Sequence, residues 1–265
     1  MGQGRSTTSI HADLVSSSRP DVGNVIYPLF SPVLLFLLFL SGRSALAQEV
    51  PANPTRPSVS DNGFLTARGY LELELGWAQT TSLGTLPMLL KMTPDSSFEI
   101  GVSATGLANK ERGEPLTLGI PGAQLKWQFA AGEWGAFASV LHIDWPSTGP
   151  PVLTAYPVLS IRNASTAIDV TGGYSVQEPF SPGREGSLFY ALSVSPNINA
   201  PIGLYVEVYG ILSPGDPLHA LDTGLSFSVS PDFVLDCSLG TSLTSNGEHW
   251  TLQLGLTKTL ARLFP

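Results

Sequence analysis

Apolar and polar residues alternate with period two through most of the chain beyond residue 67. In Tyr70-Leu71-Glu72-Leu73-Glu74-Leu75-Gly76-Trp77, the leucines and Trp77 share one face of an extended strand. Tyr70, Glu72, Glu74 and Gly76 share the other. The final stretch repeats the pattern, with Trp250, Leu252, Leu254 and Leu256 opposing Thr251, Gln253, Gly255 and Thr257. Twelve such segments can be marked, at approximately 68–79, 85–93, 97–105, 122–130, 133–145, 152–162, 166–177, 186–195, 202–212, 218–230, 233–244 and 248–260. Those at 133–145 and 152–162 alternate least regularly. Most have close to the roughly 9–11 residues of a tilted transmembrane strand.

The links between segments also alternate. Thr93-Pro94-Asp95, Ser195-Pro196-Asn197 and Ser230-Pro231-Asp232 are tight turns, in which Pro presets φ and Asp or Asn caps the turn. All three follow even-numbered segments and so lie at one end of a sheet. Longer links, over 106–121 and 178–185, follow odd-numbered ones. An even strand count with short turns at one end and longer loops at the other predicts an all-β fold: a single antiparallel up-and-down transmembrane β-barrel of twelve strands. The competing fold is a soluble sandwich or lipocalin-like barrel with its apolar face inward, since period two alone does not say which face meets solvent. Trp77, Trp145 and Trp250 fall near the long-loop ends of their segments, and Trp134 and Trp127 near the tight-turn ends. Interfacial aromatic girdles occupy those levels.

Residues 1–47 read as a signal peptide. Pro32–Leu40 is a short apolar core, and Ala45-Leu46-Ala47 predicts cleavage before Gln48. The run is shorter than the roughly 20 residues a membrane helix needs. The long Ser-rich stretch before it fits an overextended translation start. Residues 48–66, rich in Pro, Ser, Asn and Thr, read as an extended tail, and 67–265 as the barrel, placed in the cell outer membrane. Charged residues make up only 13% of the chain, about half the usual share, and the formal net charge is −8. That balance argues against nucleic acid, whose binders need a basic footprint. A lone Cys237 makes neither an internal disulfide nor a Cys-rich metal site.

Two hairpins resemble a known family. Leu86–Ile100 is similar to a "P-x-L-L-R-hydrophobic-G-turn-E-hydrophobic" hairpin, and Asp222–Leu243 to a "D-x-G-hydrophobic … T-P-N-hydrophobic-x-L-D-x-S-x-G-x-G-L" hairpin. Both belong to the outer-membrane transporter-like family named for the MetA pathway of phenol degradation. The resemblance implies an outer-membrane barrel that passes small aromatic or hydrophobic solutes, with membrane lipid as its surroundings. The chain departs from the pattern at Met92-Thr93, at Lys91, and at its Leu263-Phe264-Pro265 end, where an aromatic residue is usual.

With the apolar faces toward lipid, the lumen is lined by Glu72, Glu74, Lys91, Glu99, Lys126, Arg162, Asp169, Glu207, Asp222 and Asp236. The acids outnumber the bases, which in a hydrated pore favours cations. Alternatively these charges pair and plug the lumen, as side chains fill eight-stranded barrels. Asp222 and Asp236 are expected near the tight-turn end of neighbouring strands, accepting hydrogen bonds from turn backbone and inward hydroxyls. Catalysis is not expected: His142 and Asp144, a His-x-Asp pair on a shared face near the long-loop end, have no nucleophile signature beside them. No cofactor motif is present, and His142, His219 and His249 lack the spacing of a metal site on one strand. The reading is therefore a narrow passive channel. A plugged structural or adhesion barrel is the second possibility and an outer-membrane hydrolase the third.

Overall fold

The computed structural model describes residues 50–56, 58–111, 117–146, 149–179, 186–196, 201–213, 217–245 and 247–264. The leader over 1–47, the centres of the two longer loops, Asn197 and Pro265 lie outside them. The strands are β1 (Tyr70–Thr80), β2 (Leu83–Thr85), β3 (Met88–Met92), β4 (Phe98–Glu111), β5 (Thr117–Gly132), β6 (Gly135–Asp144), β7 (Val152–Arg162), β8 (Thr166–Gln177), β9 (Gly186–Pro196), β10 (Ile202–Leu212), β11 (Leu218–Ser230), β12 (Phe233–Ser242) and β13 (Thr251–Arg262). Consecutive strands pair antiparallel, except β2 with β3, and β13 pairs with β1 to close the sheet. β2 and β3 are two pieces of one barrel strand between β1 and β4, so the barrel has twelve.

The break falls at Leu86-Pro87, because Pro87 has no N–H to give the ladder. Its carbonyl still accepts from Gly76 N–H at 2.9 Å, which keeps β1 in register across the gap. The loop expected over 106–121 is mostly strand instead. β4 runs on to Glu111 and β5 begins at Thr117, since each finds a ladder partner in the other and β2 adds a further one for β4. The irregular segments 133–145 and 152–162 are β6 and β7, paired along their whole length. Their alternation is blurred because Ala136 and Ala138 face inward on β6 and Pro157 and Ser139 face outward, so small and polar residues occur on both faces.

The two faces resolve which solvent each meets. Phe129, Leu188, Val206 and Leu239 on the outer wall are more than half exposed, whereas Glu72, Glu99, Lys126 and Glu207 inside are fully buried. A water-soluble barrel has the reverse arrangement. An apolar exterior around a polar interior is the arrangement of a membrane barrel. Of the outward leucines around the closing seam, Leu254 is exposed, while Leu73 and Leu256 are packed among their cross-strand neighbours.

Turn chemistry fixes the hairpin ends. Between β5 and β6 the chain reverses at Glu133-Trp134, and Gly135 has φ of +137°, a conformation L side chains rarely adopt. A Cβ there would also collide with the Ser160 carbonyl oxygen. Gly135→Ala is therefore expected to destabilise the barrel by roughly 1–3 kcal/mol. Gly149→Ala, also at positive φ but with open space around it, should cost less. Comparing the two in urea unfolding separates the clash from backbone strain. At the β11–β12 turn, Lys258 donates to Asp232 at 2.6 Å. Burial there raises the Asp232 pKa, but Lys258 and Ser230 outweigh it and hold the group below the usual carboxylate range. At the opposite end Ser82 and Thr80 hydroxyls donate to Glu248 at 2.7 and 3.0 Å, fastening the β12–β13 loop over the seam.

Candidate functional site: the lumen and its occupant

The described residues 50–56 and 58–66 form no strand, and they lie inside the barrel. Ala52 N–H donates to the Pro231 carbonyl at the tight-turn mouth. From there the segment climbs β1, with Asn53 N–H on Glu72 at 2.9 Å and Thr55 N–H on Glu74 at 3.0 Å. It crosses at Ser58-Val59-Ser60, where Val59 and Ser60 N–H groups both donate to Glu207 on β10 at 2.7 Å. It then descends the other wall. Gly63 N–H meets Ser160 at 2.8 Å and Thr66 N–H meets Glu99 at 2.8 Å. At the mouth again, Gly69 N–H donates to the Thr93 carbonyl and β1 begins. The segment is a plug that enters and leaves by one end.

Four of the inward acids thus hold backbone rather than solute. A segment without secondary structure carries N–H groups that must find partners once buried, and carboxylates are strong acceptors for them. The two inward lysines hold the plug's acceptors. Lys91 Nζ reaches Glu74 at 2.6 Å, Glu72 at 3.1 Å and the Asn53 carbonyl at 2.7 Å. Lys126 Nζ reaches Asp61 at 2.7 Å and the Asn62 carbonyl at 2.9 Å, and Gln128 donates to the Gly63 carbonyl at 2.8 Å. Asp61, Gln128 and Ser160 belong to this site and were not singled out from sequence, because nothing in their local pattern marks a partner far along the chain.

The remaining predicted residues sit as follows. Arg162 pairs with Asp169 at 2.8 Å, and its guanidinium lies 5.4 Å from the centre of the Phe64 ring, at the foot of the plug. Asp222 accepts from Tyr205 Oη at 2.7 Å and from Thr223 N–H at 2.9 Å. Asp222 was expected near the tight turn beside Asp236. It stands far up β11 instead, in register with Gly240, because the antiparallel ladder pairs Asp236 with Ser226. Asp236 is buried beside Gly255 and next to Arg56 of the plug. Arg56 lies over Gly76 and Gly255, a cross-strand pair at the closing seam, where any Cβ would strike it. Two glycines on the inward faces of β1 and β13 are thus the space that a guanidinium fills. Outside, Trp127, Trp134, Trp145 and Trp250 are 40–50% exposed and Trp77 is half-buried.

The three histidines of the barrel stand apart. His142 faces the lumen, His219 accepts or donates at 2.8 Å to Tyr190 Oη, and His249 is exposed in the β12–β13 loop. Ser103 Oγ lies 3.1 Å from His142 Nε2, and Asp144 Oδ1 lies 3.5 Å from the same nitrogen. A serine-hydrolase base meets the hydroxyl with one ring nitrogen and its orienting acid with the other. Here both partners converge on Nε2, so this geometry is not that of a catalytic relay.

No family model and no curated protein matches the chain. Its fold does match solved barrels. It resembles the NanC porin with a TM-score of 0.57 and 9% identity over 72% of this chain and all of that one. It resembles an outer-membrane channel of Pseudomonas putida F1 with a TM-score of 0.59 and 10% identity, covering 74% of this chain and 97% of the other. The KdgM porin gives 0.57 and 5% over 72% and 99%. The chain therefore has the fold of outer-membrane channel barrels.

Proposed function

We propose that this protein is an outer-membrane channel for passive passage of small solutes, with its lumen occupied from the tight-turn end by the segment that carries Asn53, Thr55, Ser60 and Thr66. The observation that carries the reading is the grip of Glu72, Glu74, Glu99 and Glu207 on plug backbone N–H groups. The plug is held by polar contacts on all sides, and such contacts can be exchanged for water when the segment leaves. The fold shared with porins supports a channel, and the two hairpins that resemble the MetA-pathway family point to aromatic or hydrophobic solutes. The tight turns and the plug's entrance would face the periplasm, the Trp residues would mark the membrane interfaces, and residues 1–47 would be removed on export.

Deleting residues 50–66, with the leader kept, tests this reading. Liposomes holding the deleted barrel are expected to swell faster in small neutral solutes than those holding the intact protein. The deleted pore should also show a cation-selective reversal potential, strongest at low salt, because the inward acids then face water and outnumber the inward bases Lys91, Lys126 and Arg162. Gly255→Leu, which leaves the plug in the chain but takes the place of Arg56, should move swelling the same way. A folded deletion variant that swells no faster than the intact protein would mean a closed structural barrel.

A further inference from the structure

The ladder between β7 and β8 is interrupted at one place. It pairs Ala155 with Tyr174 and resumes at Val158 with Thr171, which leaves Tyr156-Pro157 and Gly172-Gly173 outside it. Pro157 has no N–H to give to the ladder, and the two glycines opposite put no side chain into the gap. On the outer wall the row through Gly172 continues across Tyr190, Gly210 and His219. One step nearer the long-loop end runs a second outward row of Ala155, Tyr174, Leu188 and Leu212, in which the three larger residues are exposed. Small residues thus make a floor and large ones its walls. The result is a groove of about 530 Å³ whose lining includes Ala155, Gly172, Tyr174, Leu188, Tyr190 and Leu212. Polar atoms stand at its rim. The Tyr174 hydroxyl overhangs Gly186, the first residue of β9, and Tyr190 Oη lies 2.8 Å from His219 Nδ1 above Gly210.

We infer that this groove is a binding site for one acyl chain of a membrane lipid, with the lipid's polar head at the rim of Tyr174, Tyr190 and His219. The outer wall faces hydrocarbon, so the molecule that fills a hollow in it is the one that bathes it. A hollow left empty forfeits the dispersion contacts of its lining, and a flexible run of methylenes restores them. The groove also opens onto the apolar band of Val170, Leu192 and Val194, so a chain seated in it continues into the bilayer. Tyrosines near the ends of barrel strands sit where hydrocarbon gives way to head groups, with the ring in one and the hydroxyl in the other. Two phenols and an imidazole there offer hydrogen bonds to an ester carbonyl or a phosphate oxygen. The groove lies on the outside of the wall, so the occupancy of the bore does not enter.

Native mass spectrometry of the full chain, stripped of lipid in detergent and titrated with dimyristoyl phosphatidylethanolamine, reads the site. Wild type is expected to saturate with one lipid before further adducts appear. Gly172→Leu should weaken that first lipid by more than about tenfold, as expected when about two methylenes lose their place in the groove. A Cβ at Gly172 meets only the Phe189 carbonyl oxygen, at 3.8 Å, so the new side chain fills the groove without straining the strand. Tyr174→Ala, which removes a wall instead, should weaken binding as well. Val102→Leu, on the exposed outer wall of β4, should bind as wild type does. The strand signal in circular dichroism shows which variants fold. A wild type with only a graded series of adducts, or folded Gly172→Leu and Tyr174→Ala proteins that bind as wild type does, would overturn the proposal. So would a protein dimer in place of the lipid adduct that Gly172→Leu dissociates, since it would assign the groove to a second copy of this chain.

Discussion

Replacing Lys91 with Met is expected to destabilise the barrel by about 3–5 kcal/mol, the usual cost of removing one partner from a buried ion pair. Lys91 is fully buried and serves Glu72, Glu74 and the Asn53 carbonyl together. Without it, two carboxylates face each other in the interior across adjacent positions of one strand face. Met keeps the aliphatic stem, so packing changes little and the loss reports the charge. Lys258→Met is the control. Its ion pair with Asp232 is partly exposed at a turn, where such pairs contribute about 0–1 kcal/mol. Urea unfolding of the two variants in lipid vesicles, followed by tryptophan emission, should show the difference directly. Equal effects would mean that the Lys91 cluster is hydrated and loosely held.

Leu254→Arg is expected to cost about 2–4 kcal/mol, and Gln253→Arg much less. The residues are adjacent on β13, yet Leu254 is exposed on the outer wall while Gln253 faces the lumen. A guanidinium at Leu254 must be carried into hydrocarbon or drag water after it. At Gln253 it meets polar side chains. The contrast measures the direction of the two faces, and equal destabilisation would reverse them. The same unfolding assay in bilayers of two thicknesses would also show the Leu254 penalty growing as the hydrocarbon slab widens.

The barrel was legible because its physics is local. Period two in Leu71–Trp77 or Trp250–Leu256 tells which side chains share a face, and an even count with alternating links leaves few topologies. The inward direction of Glu72, Glu74 and Glu207 followed from the same pattern. What they hold did not. The partners are backbone N–H groups of Asn53, Thr55, Val59 and Ser60, and a backbone N–H is present at every non-proline residue, so composition carries no sign of it. A Pro- and Ser-rich tail looks the same whether it lies in water or in a lumen. A clue did stand in the sequence: Gly76 and Gly255 interrupt the polar faces of the first and last strands, and the space they leave is occupied by Arg56. His142 and Asp144 were readable as sharing a face. Ser103 joins them only through the register of β4, β5 and β6, which alternation does not specify.

The plug's two ends share one mouth, at Pro231 for Ala52 and at Thr93 for Gly69. A segment that entered by one mouth and left by the other would be threaded, and the wall would have to close around it during assembly. This one is unlinked. The β1–β13 seam can zip first and the segment can fold inward afterwards. It can also be drawn out and returned without breaking a single interstrand bond. Assembly of the wall and occupancy of the bore are therefore separable events, and each can proceed at its own rate.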